Sequence, residues 1–221
     1  ADIKKASYIL PTWTVARQPD ATLQAACKGI ADRQIPRLRY VGSNPVTGPV
    51  IEASYIRFLD LLEAHLTHHR FLLGNRPAAC DFAIYGQLTQ LAQFDPTSME
   101  IAVDRARRVC GWVGLMDDLC GEEPADGDWF DPTDLPDTLK AILAEAGHVY
   151  APLLLANAKA VRDGQDTVDT EIDGKPWTQQ AFPYQAKCLA WLREEHAQLS
   201  PSAAARAAGA IKGSGLEILF G

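Results

Sequence analysis

The sequence predicts an all-α bundle carrying one small β-hairpin near 167–177, and three observations lead to that reading. Residues 71–95 turn at Gly74-Asn75, place Pro77 and Asp81 where a helix can begin, and then repeat Phe82, Ile84, Tyr85, Leu88, Leu91 and Phe94 near the helical period. Val50, Ile51, Ser54, Tyr55, Phe58, Leu59, Leu62 and Leu66 trace an amphipathic helix of about five turns at ~3.6 residues per turn. The one convincing strand pattern is Thr167-Val168-Asp169-Thr170-Glu171-Ile172, which alternates, turns at Asp173-Gly174 and returns through Lys175-Pro176-Trp177.

The chain opens with Ile3, Ala6, Ile9 and Leu10 at helical spacing, and Pro11 interrupts them. This segment reads as the end of a longer helix. After a short aromatic and cationic connection, Asp20 is expected to cap a helix running to about Val41. Pro36 disfavours helical geometry at the residue before it, so a break is expected at Ile35. Gly42-Ser43-Asn44-Pro45 and Gly48-Pro49 punctuate a loop before the amphipathic helix.

The run from Phe82 to Phe94 is apolar around much of the helical circumference, which places it inside a bundle rather than on its surface. Pro77 suits the opening of this helix because it lacks an N–H that would have no partner there. Asp81, in the first turn, can accept free backbone N–H groups and complement the positive end of the helix dipole. Asp95-Pro96 ends the helix, and Thr97 or Ser98 is expected to cap the next, which runs through Ile101, Val109, Trp112, Val113 and Met116. Residues 119–136 read as a loop. Helical spacing resumes over 138–162, with a bend expected at Gly147 and Pro152. Beyond the hairpin lie a helix over 182–196, a second capped by Ser200, a turn at 213–215 and an apolar tail.

Composition narrows the function classes. The chain has 221 residues, 47% hydrophobic and 22% charged, and no apolar run approaches a membrane span. Ala1-Asp2-Ile3-Lys4-Lys5 does not read as a signal peptide, so a cytoplasmic protein without a membrane partner is expected. A net charge of −7 with no basic stripe argues against a nucleic-acid partner. The five cysteines form no C-x-x-C pair and read as reduced thiols, mostly buried. Cys80 sits at a helix start, where the dipole lowers a thiol pKa while neighbouring Asp81 opposes it, leaving a nucleophile as the less favoured reading.

His65, His68 and His69 fall at the end of the amphipathic helix. Their spacing permits a metal site, but no carboxylate completes it. The favoured reading is cations complementing the negative helix end, with no metal. Asp118, Glu122, Glu123, Asp126, Asp128, Asp131, Asp134 and Asp137 do not follow the calcium-loop order and read as a solvated acidic loop.

Gly74-Asn75-Arg76-Pro77, the small residues Ala78-Ala79-Cys80, and Asp81-Phe82-Ala83-Ile84-Tyr85-Gly86 together resemble the capping motif of the central helix in the C-terminal domain of glutathione transferases. In that family the aspartate holds a buried loop and the helix start together. Ala78 stands where the family usually has Ser or Thr, so only the carboxylate half of a capping box is expected. Ala16-Arg17-Gln18, Arg33-Gln34-Ile35, Val41-Gly42-Ser43-Asn44, Asp95-Pro96-Thr97, Ala156-Asn157-Ala158 and Phe182-Pro183-Tyr184-Gln185-Ala186-Lys187-Cys188 extend the resemblance across essentially the whole chain, toward a bacterial branch with an extended helical domain.

The resemblance implies a glutathione-transferase C-terminal-type helical domain over 1–221, divided into a leading helix and connection at 1–20, a core bundle at 21–119 and a C-terminal helical extension at 120–221. It further implies that the domain forms the electrophile-side pocket and packs on a thioredoxin-like, glutathione-binding domain that these residues do not contain. Glutathione would then be a co-substrate of the full-length protein, with no further cofactor, a small electrophilic or hydrophobic ligand, and a homodimer. Tyr8, Trp13 and Arg17 are the candidate pocket wall, because the first helices of this domain face the thioredoxin-like one in the family. Asp81 is assigned a structural capping role, and no catalytic residue is assigned. The alternative is a free-standing helical binding or assembly module without catalysis.

Overall fold

The computed structural model describes residues 17–221, which form a mostly helical protein with a two-stranded antiparallel sheet. Helix α1, Asp20–Gln34, begins one residue earlier than expected: Pro19 is the cap, its carbonyl receiving Thr22 N and Leu23 N, and Asp20 is the first helical residue. At Ile35 the chain tightens into a 3₁₀-helix, Ile35–Val41, at the break that Pro36 predicts. It stops at Gly42 (φ 72°), where any side chain would strike that of Gln179. Helix α2, Gly48–His65, follows a loop closed by Asn44, whose Oδ1 accepts Val46 N at 2.9 Å and whose Nδ2 donates to Thr178 O at 2.8 Å.

Helix α3 spans Ala79–Leu91, with Ala78 as its cap position and Pro77 just outside rather than in the first turn. Asp81 is fully buried, its Oδ1 accepting Leu72 N at 2.9 Å and its Oδ2 accepting Ala78 N at 2.8 Å. One carboxylate thus ties the 71–74 turn to the helix start, while Ala78 has no side-chain oxygen to complete the reciprocal half of a capping box. The expectation of an enclosed helix is corrected. Only Asp81 and Leu88 of α3 are buried and Phe82 is 50% exposed, because the helix packs on one side alone.

The long helix expected after Asp95 is two. Helix α4, Pro96–Arg105, is capped by Asp95, whose Oδ1 accepts Thr97 N at 3.0 Å, rather than by Thr97 or Ser98. Helix α5, Arg107–Asp117, restarts after Ala106 leaves helical geometry at φ −138°, ψ 64°. Neither Gly nor Pro marks this break. Its stabilising partner is remote: Glu63 of α2 accepts Arg108 N at 2.8 Å, Val109 N at 3.1 Å and the Arg108 guanidinium at 2.9 Å, capping α5 from across the bundle. Leu59, Leu62, Phe71, Leu88, Val109, Trp112, Val113 and Met116 close the main core over these contacts.

The loop to 136 returns along the 71–75 turn, with Phe130 N on Leu73 O at 2.9 Å and Asn75 N on Asp128 O at 2.8 Å. Gly74 (φ 142°) is required there, since a Cβ would collide with the Asp128 carbonyl. Helix α6, Asp137–Glu145, passes through a π-helical turn, Ala146–Tyr150, into α7, Ala151–Arg162. At Gly147, where a bend is expected, the helix instead carries this π-helical turn, and Gly147 lies against the backbone of Ser214 and Gly215. Asp137–Arg162 forms one 26-residue helix in which an 18-residue stretch reaches a mean hydropathy of 1.3, enough by length and composition alone to cross a membrane. In the fold its Leu139, Ile142, Ala151, Leu154 and Ala160 are buried against the protein.

Strand β1, Thr167–Ile172, pairs antiparallel with β2, Lys175–Gln180, with Thr170 opposite Trp177. Asp173 (φ 54°) and Gly174 (φ 66°) make the type I′ turn. Ile172 and Trp177 pack on Val50, and Arg57 of α2 clasps the hairpin: its Nε and Nη2 reach Glu145 at 2.8–3.0 Å and its Nη1 reaches Asp173 at 3.0 Å. Helix α8, Pro183–Ala197, helix α9, Pro201–Ile211, and a 3₁₀-helix, Leu216–Leu219, follow, with Ser200 Oγ accepting Ala203 N at 3.3 Å as expected and Leu219 buried on α7 and α8.

Replacing Asp81 by Ala strands Leu72 N and Ala78 N, and is expected to cost about 2–3 kcal/mol, above the ~0.5–2 of an ordinary exposed cap. An unchanged urea midpoint at unchanged m-value would show that the clamp contributes nothing.

Candidate functional site

Of the residues assigned to a pocket wall, Tyr8 and Trp13 lie outside the described residues, and Arg17 is exposed where the described chain begins. Asp81 is fully buried and accepts from the backbone it caps. Burial, reinforced by Asp81, pushes the Cys80 thiol up, which opposes thiolate formation and the nucleophile reading.

His65 and His69 are not the cationic helix end expected of the histidine cluster. His65 is fully buried, with Nε2 at 3.2 Å from Phe71 O and Nδ1 at 2.9 Å from Thr138 Oγ1. A carbonyl only accepts, so Nε2 carries the proton and Nδ1 accepts from the threonine hydroxyl. Desolvation holds the His65 pKa below its ordinary value and does the same for His69, whose ring meets Phe130 edge-on at 4.8 Å. His65 is therefore a neutral bridge between α2, the 71–74 turn and α6. Among the described residues no group of three or more His, Cys, Asp or Glu is placed to hold a metal ion. In the acidic loop, carboxylates turn back on their own backbone: Asp128 accepts Ala125 N at 2.7 Å and Asp131 accepts Thr133 N at 2.8 Å.

A different surface gathers several of the segments that carry the family resemblance. Gln34, Arg37, Leu38, Tyr40, Val41 and Phe182 line an open groove of about 660 Å³. The 3₁₀-helix explains its shape. With about three residues and ~6 Å per turn, Gln34, Arg37 and Tyr40 stack along one side. The far wall is fixed by fully buried Asn157 of α7, whose Oδ1 accepts Phe182 N at 2.8 Å and whose Nδ2 donates to Phe182 O at 3.0 Å. The near wall is held by Gly42 against Gln179 and by Asn44 on Thr178.

An aromatic ladder runs out of the groove. Ring centroids step from Tyr40 to Phe182 at 6.1 Å, to Tyr184 at 6.3 Å and to Trp191 at 6.0 Å. Tyr184, Trp191 and Leu192 are apolar positions of α8, yet α8 buries only Leu189, and Tyr184 is 57% and Trp191 41% exposed. Arg39 lies over the Tyr40 ring at 4.6 Å and donates to its hydroxyl at 2.8 Å, while Lys187 lies over Trp191 at 4.7 Å. The sequence signal for this surface was the three-residue spacing after a helix-breaking proline. It becomes a wall only once Phe182 is brought against Tyr40.

Comparison with protein-family models, with curated proteins and with solved structures finds no match to this chain.

Two outcomes follow from these contacts. Because burial lowers the folded-state pKa of His65, the unfolded chain binds a proton that the folded chain refuses as pH falls through about 6.5, so stability declines below that pH. His65→Gln is expected to shallow the fall in unfolding free energy between about pH 7.5 and 5.5, and an unchanged slope would remove His65 from the account. Asn157→Ala frees the Phe182 backbone and is expected to cost about 1–3 kcal/mol, with faster amide hydrogen exchange at Phe182 as the local signature.

Proposed function

We propose that the chain is the helical part of a glutathione-transferase-like protein, in which it packs on a thioredoxin-like domain and supplies the apolar-ligand side of the reaction in a cytoplasmic homodimer. The observation that supports this reading most directly is the buried Asp81 carboxylate bridging Leu72 N and Ala78 N, which is the role the resemblance implies for that aspartate. The groove supports it further, because segments quoted for the resemblance, 33–35, 41–44, 156–158 and 182–188, meet around Tyr40 and Phe182. In such a protein the glutathione thiolate attacks an electrophilic carbon, forms the C–S bond and expels the leaving group. The helical residues orient the electrophile and exclude water. No nucleic-acid partner and no resident metal belong to this reading.

A second reading, a binding or assembly module without chemistry, is favoured by the exposed Tyr, Trp and Arg side chains along the ladder, a composition that also marks protein interfaces. The two separate experimentally. The full-length product is expected to bind immobilised glutathione and conjugate it to a nitro-activated aryl chloride. Tyr40→Ala and Phe182→Ala are expected to raise the KM for the aryl substrate about tenfold, while that for glutathione stays within about twofold. A full-length product that neither binds nor conjugates glutathione would leave the module reading.

A further inference from the structure

Among the described residues, Arg37 and Arg39 beside the groove are, like Arg33, Arg76, Arg107, Arg193 and Arg206, without an ion pair, but they alone of these stand at the edge of the Tyr40–Phe182 surface. Arg57, Arg70, Arg105 and Arg108 each meet a carboxylate distant in sequence, and Arg162 meets neighbouring Asp163. Among the described residues no carboxylate pairs with Arg37 or Arg39, and none lines the groove. In a chain of net charge −7, unpaired cations on an aromatic floor form a local inversion of sign. Arg37 shares the groove-lining side of the 3₁₀-helix with Gln34 and Tyr40, and the stacked and hydrogen-bonded contact to Tyr40 fixes Arg39 beside it. The volume of about 660 Å³ falls within the range of small-molecule sites, ~300–1,000 Å³.

From the unpaired Arg37 and Arg39 beside the Tyr40–Phe182 floor, we infer that the groove binds a flat aromatic ligand bearing an anionic group. The ring lies against Tyr40 and Phe182, and the anion is received by the guanidinium groups, whose planar forks match carboxylate and sulfonate oxygens. Gln34 offers a neutral donor on the same side. This deepens the reading of the groove as the ligand surface, but it requires no catalysis and no glutathione.

The test uses the full chain and equilibrium dialysis with naphthalene-2-carboxylate, naphthalene-2-sulfonate and the neutral naphthalene-2-carboxamide. Both anions are expected to bind about fivefold more tightly than the amide at low salt, as one or two exposed charge contacts supply. Raising salt to about 0.5 M should shrink the difference. In the R37Q/R39Q double variant it should fall within about twofold, and in R37K/R39K much of it should return. Equal binding of anion and amide, failure of all three to bind at millimolar concentration, or a preference retained by R37Q/R39Q would each overturn the inference. Anion binding in a full-length protein that conjugates nothing would sink the transferase reading and leave this one standing. Conjugation without any anion preference would do the reverse.

Discussion

The buried carboxylate of Asp81 is the contact on which the rest of the bundle depends. A turn and a helix start each leave backbone N–H groups without partners, and burying them unpaired costs about as much as a lost hydrogen bond per group. Asp81 satisfies one of each and joins them. Its own burial raises its pKa against the opposing pull of the two N–H donors, so the site stores a desolvation cost that only this fixed geometry offsets. With the 71–74 turn held, Phe71 enters the core, its carbonyl receives His65, and Gly74 admits the returning 128–130 backbone. A single side chain thereby sets where α2 ends, where α3 begins and how the acidic loop lies.

Remote carboxylates repeat this device elsewhere. Glu63 satisfies the start of α5, which has no local capping side chain, and so permits a break at Ala106 that Gly or Pro would ordinarily mark. Arg57 joins α2, the end of α6 and the hairpin turn through Glu145 and Asp173, whose carboxyl the His148 and Arg57 contacts hold below its ordinary range. These bonds cross the chain at long range. They hold the hairpin against α2, and the hairpin in turn positions β2 under Gly42 and the groove.

The groove is the geometric consequence of that chain of supports. Asn157 uses both halves of its amide on one backbone unit, so the Phe182 ring is presented rather than left to wander, and Tyr40 arrives from a 3₁₀-helix whose period differs from that of the α-helix before it. The result is an apolar floor with cations at its edge on an otherwise acidic molecule. In the proposed ligand reading, recognition there would rest on the complementarity of flat apolar area and positive charge.

The sequence by itself determined the features that depend on near neighbours. The helical periods, the Ile35 break before Pro36, the Asp173-Gly174 turn, the Ser200 cap and the carboxylate at the start of α3 all follow from local backbone chemistry. Only the tertiary structure decided matters set by distant partners. It exposed one side of α3, split α4 from α5 through Glu63, made His65 a neutral buried bridge instead of a cation, and left Tyr184 and Trp191 uncovered on α8. Hydrophobic periodicity states that a face is apolar. Whether another element covers that face, and so whether it becomes core or ligand surface, is decided by how the chain packs.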